Sequence, residues 1–456
     1  MKFLKVKIVL VLVAAIFVIF FFNDADIIDV EKTAIITAVA IDLENDADFK
    51  NSVNGEVISE NGTLHGETGG TGGTDGEAKT ERYIVTAQVA VPEATDTNTE
   101  NTRTEISGSG GTIAAAIKAI GDVSGWYPHL SFCNLIILGN SMAETNVIKT
   151  LDYFSKTLRL QDSAMVVLAK NSAKELLEIT TPLDKISSFA IQKVLFKTKG
   201  FDADVASTDV KDFCLHYYDI ASSSFMPIVG AQSQFQKRSD NPENLAESGG
   251  AGANSAGTGS SGSGSGGTGG NSSDGSFAEE KEKKVFSAFS TALFKDGRKV
   301  GELTPEQTLA FNAIRQNVTG TTIELDDVKV GLEKPRNFFL TIIKNKRSCK
   351  VSADENGITA DVRLSLYCKI TDKNAESSDI SLSKNTPLPR EIVKAAEKKF
   401  TTAIKELIET EKQTGCDFLR IKRELFRKNH KYFAMFKDSY LTRLTEKITV
   451  TVTGQK

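Results

Sequence analysis

Cysteine is scarce in this chain: five residues in 456, at positions 133, 214, 349, 368 and 416, and none in the first 132. That number and scatter exclude a disulfide-framework fold, and no C-x-x-C pair occurs to hold zinc or run dithiol exchange. Histidine is rarer still, with His65, His129, His216 and His430 the full set. They share no ligand spacing and no H-E-x-x-H occurs, so neither a metal nor a cofactor is expected. An excess of charge is also missing. The formal net charge is −4, which leaves no basic face to release counterions from nucleic acid. The glycine runs at 69–73 and 261–270 lack the Lys-Ser/Thr of a phosphate loop. No catalytic residue is nominated.

What is present begins with one long apolar run, residues 8–22, behind Lys2, Lys5 and Lys7 and ahead of Asn23-Asp24. Fifteen helical residues cover roughly 22 Å, and Phe3 and Leu4 with snorkelling lysines extend this toward the ~30 Å hydrocarbon core. Ile8, Val9, Leu10, Phe17, Phe20, Phe21 and Phe22 are the expected membrane-anchor residues. The lysines before the run place the N-terminus inside and the bulk of the chain extracytoplasmic. A cleaved signal peptide is the alternative, against which stands the absence of a small-residue cleavage pattern after Phe22. Both readings give the same address.

The rest alternates between periodic and low-complexity sequence. Residues 30–43 and 83–91 read as paired strands around a polar insertion at 44–82, and residues 237–282 are a Gly/Ser/Thr-rich insertion. Helices are expected from 111, capped by Thr112, over 143–158, from Ser172, and over 186–197, with strands in 126–139 and 164–170. Residues 213–229 read as strand. Asp296-Gly297 marks a hairpin within 286–300, and Thr304-Pro305 opens a helix. Further strands are expected at 338–345, 349–353, 358–370 and 448–452. A long amphipathic helix is expected over 389–411 with Ile392, Ala396, Phe400, Ile404, Leu407 and Ile408 on one face, and another helix over 416–428.

Read together, these pieces predict an α+β protein: an N-terminal transmembrane helix (1–22), then about three mixed α/β domains on mixed or antiparallel sheets with flanking helices. The expected divisions are 27–200 with insertion 44–82, 201–332 with insertion 237–282, and 335–456.

The order of motifs resembles the C-subunit family of spore nutrient germinant receptors, the GerAC-like proteins. The stretches carrying the resemblance are IITAVAID (35–42), GGTIAAAIKAI (110–120), HLSFCNLIILG (129–139), LDYF (151–154), AMVVLAKNSAKELLE (164–178), TPLDKISSFAI (181–191), FMPIVGA (225–231), STALFKDGRKVGEL (290–303) and the block 404–452. The resemblance implies three mixed α/β domains, no enzymatic activity, and partners of two kinds: a large A-type subunit and a multi-pass, permease-like B-type subunit. It also implies a spore inner membrane or cell membrane location, with lipid contacted through the N-terminal helix. Family members typically carry a lipidated cysteine after the signal sequence. Here Phe22-Asn23-Asp24 stands in that place, so no lipidation is expected and an intact helix is the implied substitute.

Against that reading stand a cell-wall-facing enzyme, thiol- or carboxylate-dependent, and an extracytoplasmic solute-binding protein. Cys214-x-His216, on one face of the expected strand, is the thiol candidate, with an ordinary buried thiol as its alternative. Cys349 and Cys368, on neighbouring expected strands, would bridge only if their registers match. Trp126, Tyr127 and His129 are the partner-contact candidates, or else a lid over the helix before them. Lys422, Arg423, Arg427, Lys428 and Lys431 form a basic cluster suited to anionic headgroups or to plain solvation.

Overall fold

The strand expected over 30–43 forms β1 (Thr33–Leu43), which lies inside a ten-stranded mixed sheet. The computed structural model describes residues 33–44, 82–90, 103–156, 160–161, 163–182, 184–200, 203–233, 284–331, 334–373 and 387–454. The anchor residues Ile8 to Phe22, His65, and nearly all of both polar insertions lie outside them. Among the described residues no helix is long and apolar enough to cross a membrane.

β1 pairs antiparallel with β2 (Tyr83–Ala90), which pairs antiparallel with β3 (Arg103–Gly110). α1 (Ile113–Ser124) then leads to β4 (Tyr127–His129) and β5 (Leu135–Leu138), both parallel to β1. A 3-10 turn (Asn140–Glu144) and α2 (Val147–Lys156) precede β6 (Met165–Ala169). Next come α3 (Ala173–Glu178), α4 (Ser187–Gly200), β7 (Thr208–Asp209), α5 (Val210–Tyr217) and β8 (Ser223–Ser233). The hairpin β9 (Lys284–Lys295) and β10 (Arg298–Leu303) completes the order β10-β9-β8-β6-β5-β1-β2-β3. Strands from 201–332 therefore extend the sheet begun by 27–200.

Side-chain period explains how the sheet is covered. Ile136 and Leu138 face one core, and Leu135 and Ile137 the other. In β1 the alternation slips. Ala34 and Ile36 share a face with Val39 and Ile41 because a bulge sits between Ile36 and Ala38. α1, α2 and α5 cover the first face; α3 and α4 cover the second.

α6 (Pro305–Arg315) opens with Thr304 and Gln307 forming a reciprocal capping box. A second sheet follows, ordered β11 (Thr322–Val328), β12 (Arg336–Ala353), β13 (Ile358–Lys373), β14 (Leu444–Gly454). Its last pair is parallel, and the crossover carries α7 (Arg390–Thr414), α8 (Ile421–Lys428) and α9 (His430–Phe436). α7 buries Ile392, Ala396, Phe400, Ile404, Leu407 and Ile408, the stripe expected from its spacing. A third core, containing Phe225 and Leu293 of the first sheet, Phe311 of α6 and Leu340 and Ile342 of β12, joins the two sheets.

Three local readings differ from the sequence expectation. The start of 213–229, residues 213–217, belongs to helix α5, capped by Asp209, whose side chain accepts from Asp212 N at 2.7 Å. The two strands expected at 338–345 and 349–353 are one strand, because β13 pairs straight through the polar stretch 344–350. The helix expected over 416–428 starts only at Ile421, since Arg420 adopts a left-handed backbone, φ 62°. β3 is a further strand beyond those expected; its second half, Ser-Gly-Ser-Gly, carries no strand-like pattern. A Cβ at Gly108 would lie 2.3 Å from Ala116 O, so glycine lets α1 pack onto the strand.

At the end of β1, the buried carboxylate of Asp42 accepts from Ala173 N (2.8 Å), Lys174 N (3.0 Å) and Ser172 Oγ (3.2 Å). It satisfies the first turn of α3, where partial positive charge collects. Gly139, at the end of β5, presses on the same carboxylate: a Cβ there would sit 2.1 Å from Asp42 Oδ1. Room, rather than a special backbone angle, requires this glycine. Gly139→Ala is expected to lower stability by about 1–3 kcal/mol in urea unfolding, and Asp42→Ala by more, because it strips buried donors. An unchanged midpoint in both variants would refute this packing account.

Candidate functional site

On α5 the two thiol-enzyme candidates part company. Residues two apart on a helix are separated by about 200°, so Cys214 and His216 face opposite ways. Cys214 packs into the first core, while His216 lies against the ring of Phe225 at 5.8 Å between centroids. Burial pushes the Cys214 thiol up to about 11. Burial, with Arg420, Arg315 and Arg423 nearby, pushes His216 down to about 3. A thiol that resists ionisation beside an imidazole that resists protonation does not make a nucleophilic ion pair. The expected one-faced strand arrangement is thus corrected.

Burial likewise raises the other thiols, Cys349 to about 11 and Cys133, Cys368 and Cys416 to about 12. Cys349 stands opposite Val362 and Cys368 opposite Ile342, so their registers do not match and both are free. No cluster of three or more potential metal ligands occurs among the described residues.

Trp126, Tyr127 and His129 come together at the end of α1. Gly125 closes that helix in the left-handed region, φ 69°, with its N–H on Gly121 O at 2.9 Å. The chain then turns directly into β4, which pairs with Thr33–Ile35. Trp126 is 43% and Tyr127 47% exposed, so neither ring seals the core. Instead they wall an open groove of about 570 Å³ with Ile117, Pro128, Leu130 and Tyr153. Lys118 and Asp122 sit on its rim, 2.6 Å apart. His129 is half-buried, its ring 6.1 Å from that of Phe132.

The basic cluster on α8 and α9 is largely engaged within the chain. Arg427 and Lys428 both reach Glu424, at 2.9 and 2.7 Å, and Arg423 reaches Asp219 at 3.2 Å. Lys422 lies over the Tyr440 ring and Lys431 over Tyr432.

The site that sequence reasoning missed is a buried acid pair where the two sheets meet. Asp417 donates its N–H to Ser223 Oγ (2.9 Å), and its carboxylate accepts from Lys422 N (3.0 Å) and Arg423 N (3.4 Å) at the start of α8. Cys416 Sγ donates to Phe294 O at 3.2 Å. Glu411 is fully buried at the end of α7; its Oε2 accepts from Leu419 N at 3.2 Å, while its Oε1 has no donor facing it. Burial raises both carboxyls; Asp417 pushes Glu411 up further, while the hydrogen bond from Glu411 works against the rise at Asp417. A proton on Glu411 makes its carboxyl the donor in the hydrogen bond to Asp417. The signal was available: Glu411 continues the apolar series 400, 404, 407 and 408.

Residues 26–231 match the family model described as the spore germination protein N-terminal domain. Residues 290–455 match the one described as spore germination B3/GerAC like, C-terminal. No curated protein matches. The crystal structure of the GerBC protein aligns at 13% identity with a TM-score of 0.43, covering 83% of this chain and 96% of that one.

The acid pair fixes the sign of a pH dependence. Carboxyls whose folded pKa is raised hold protons that the unfolded chain has already released. The associated stability is present below the ordinary carboxyl range, about 4, and is lost as pH rises through the elevated folded values. Glu411→Gln keeps a donor toward Asp417 without a charge. Its melting temperature relative to the parent is expected to rise from about pH 5 to about pH 8. A gap that stays constant across that interval would remove the shared proton from the account.

Proposed function

The chain belongs to the GerAC-like family of spore germination proteins, C subunits of nutrient germinant receptors, and from that premise we propose that it is a membrane-anchored, extracytoplasmic receptor subunit acting in germination by contact rather than catalysis. The observation that carries the reading is the pair of family matches over 26–231 and 290–455, which together take in both sheets. In this reading residues 8–22 hold the chain in the spore inner membrane or cell membrane. Confinement to the membrane plane raises its effective concentration beside an A-type subunit and a multi-pass B-type subunit.

The three segments 27–200, 201–332 and 335–456 act as one block in this reading. β8 and β9 extend the sheet of the first segment, and Phe225 and Leu293 enter the core of the third. What supports contact over thiol chemistry is that all five cysteines resist ionisation.

Fractionated spores test both halves. The full chain is expected to stay with membranes through a high-salt wash and to need detergent for release, whereas a chain beginning at residue 26 comes free. Spores without the protein are expected to lose their nutrient response but keep the response to a trigger that bypasses receptors. Cys214→Ala spores are expected to respond normally. Recovery of the full chain without detergent would end the anchor reading. Loss of response in Cys214→Ala at a normal protein level would favour an enzyme.

A further inference from the structure

Thirteen large apolar side chains are exposed among the described residues, and four of them fall within one ten-residue stretch: Val123 (72%), Trp126 (43%), Tyr127 (47%) and Phe132 (54%). Exposed apolar residues scattered singly need no explanation, but a cluster beside an apolar groove does. The position of the cluster is informative. β4 runs parallel to β1 with Thr33 opposite Tyr127, so the N-terminal end of β1 lies on the Trp126 side. Only residues 23–32 separate Phe22, the end of the apolar run, from Thr33. Ten residues reach at most about 35 Å when fully extended.

We propose that the groove walled by Trp126 and Tyr127, with Val123 and Phe132 exposed close by in the chain, docks on the lipid bilayer, its rings seated at the headgroup level beside the point where the anchor leaves the membrane. The proposal rests on the anchor reading of residues 8–22. Its chemistry is that of the membrane interface, where Trp and Tyr place an apolar ring in the acyl boundary and a polar edge in the headgroups. The rim adds no net charge to oppose approach, since Lys118 is paired with Asp122. The short tether makes this contact intramolecular, so a patch too weak to hold a free protein on a membrane suffices here. A second effect follows from the geometry: a chain held at both the anchor and the patch presents its two sheets at a fixed tilt.

Trp126 is the chain's only tryptophan, which makes it a reporter. The test uses the full chain reconstituted, domains outward, in phosphatidylcholine–phosphatidylglycerol vesicles with and without lipids brominated near the headgroup. Flotation reads the anchor, and Trp126 emission reads the patch. The expected result is flotation together with loss of emission in brominated vesicles and loss of iodide access. The Tyr127→Ser/Phe132→Ser double variant is expected to float equally well while its emission escapes the brominated lipids. Flotation with Trp126 still open to iodide overturns the docking proposal and leaves the anchor standing. Shielding from iodide without quenching by brominated lipid assigns the groove to residues 23–32 and overturns it too. Failure to float overturns the anchor reading and the docking with it.

Discussion

The inner strands of the first sheet are apolar on both faces, and the whole architecture answers that constraint. β1, β5, β6 and β8 lie parallel, and their side chains alternate between two cores, neither of which can be left to water. Covering both faces requires crossover helices on each side, which α1, α2 and α5 supply on one and α3 and α4 on the other. Two of the polar side chains buried in this interior, Asp42 and Gln88, are each met by several partners. Asp42 is held by the α3 N-terminus. Gln88 donates to Glu105 at 3.1 Å and Ser187 at 3.2 Å and accepts from Ser188 N at 3.2 Å. Such networks favour a single arrangement, because any other leaves buried groups unpaired.

The same rule gives the sheet junction its character. Phe225, Leu293, Phe311 and Phe418 pack into the core that joins the sheets, with edge-to-face rings at 5.2 Å and 5.6 Å. Arg315 lies over the Phe225 ring at 4.6 Å. Apolar packing of this kind is indifferent to pH. Glu411 and Asp417 are not, because burial raises both and their hydrogen bond leaves the proton on Glu411. The junction therefore joins a rigid apolar contact to a polar contact that depends on a proton, and the two sheets meet through both.

Legibility in the sequence followed the range of the interaction that decides each element. Asp296-Gly297, the Thr304-Pro305 helix start and the α7 stripe are local, and each produced the element expected of it. The misread stretch DFCLHYYD has strand-like composition; its helix is fixed by the Asp209 cap and by Val210 and Phe213 packing under the sheet, neither of which composition reveals. β12 looked interrupted because residues 344–350 are polar, yet a paired neighbour supplies their backbone hydrogen bonds regardless of side chain. The exposed cluster at Trp126 and Tyr127 was legible as a cluster of rings; the groove was not, since it needs α1, β4 and α2 brought together. Glu411 was hidden differently. Its residue type speaks for solvent and its spacing for the core, and spacing won.

These points bear on how such a chain can work. A buried thiol kept protonated offers no ready nucleophile, and the two most conspicuous surfaces of the chain differ in kind. On α8 and α9 the cations already have carboxylates or rings of this chain as neighbours, and a new anionic partner would compete with Glu424 and Asp219 for them. Little net gain is available there, because exposed ion pairs exchange at a difference near zero. At the groove, water is the present neighbour of Trp126 and Tyr127. Removing those rings from water needs no existing contact to break, and the gain grows with the area covered. The asymmetry makes the groove the face where binding free energy is stored, and it lies beside the strand that follows the N-terminal segment rather than at the far sheet. Under the proposed docking, the chain is oriented from its amino-terminal end, with the pH-dependent junction and the second sheet carried beyond it.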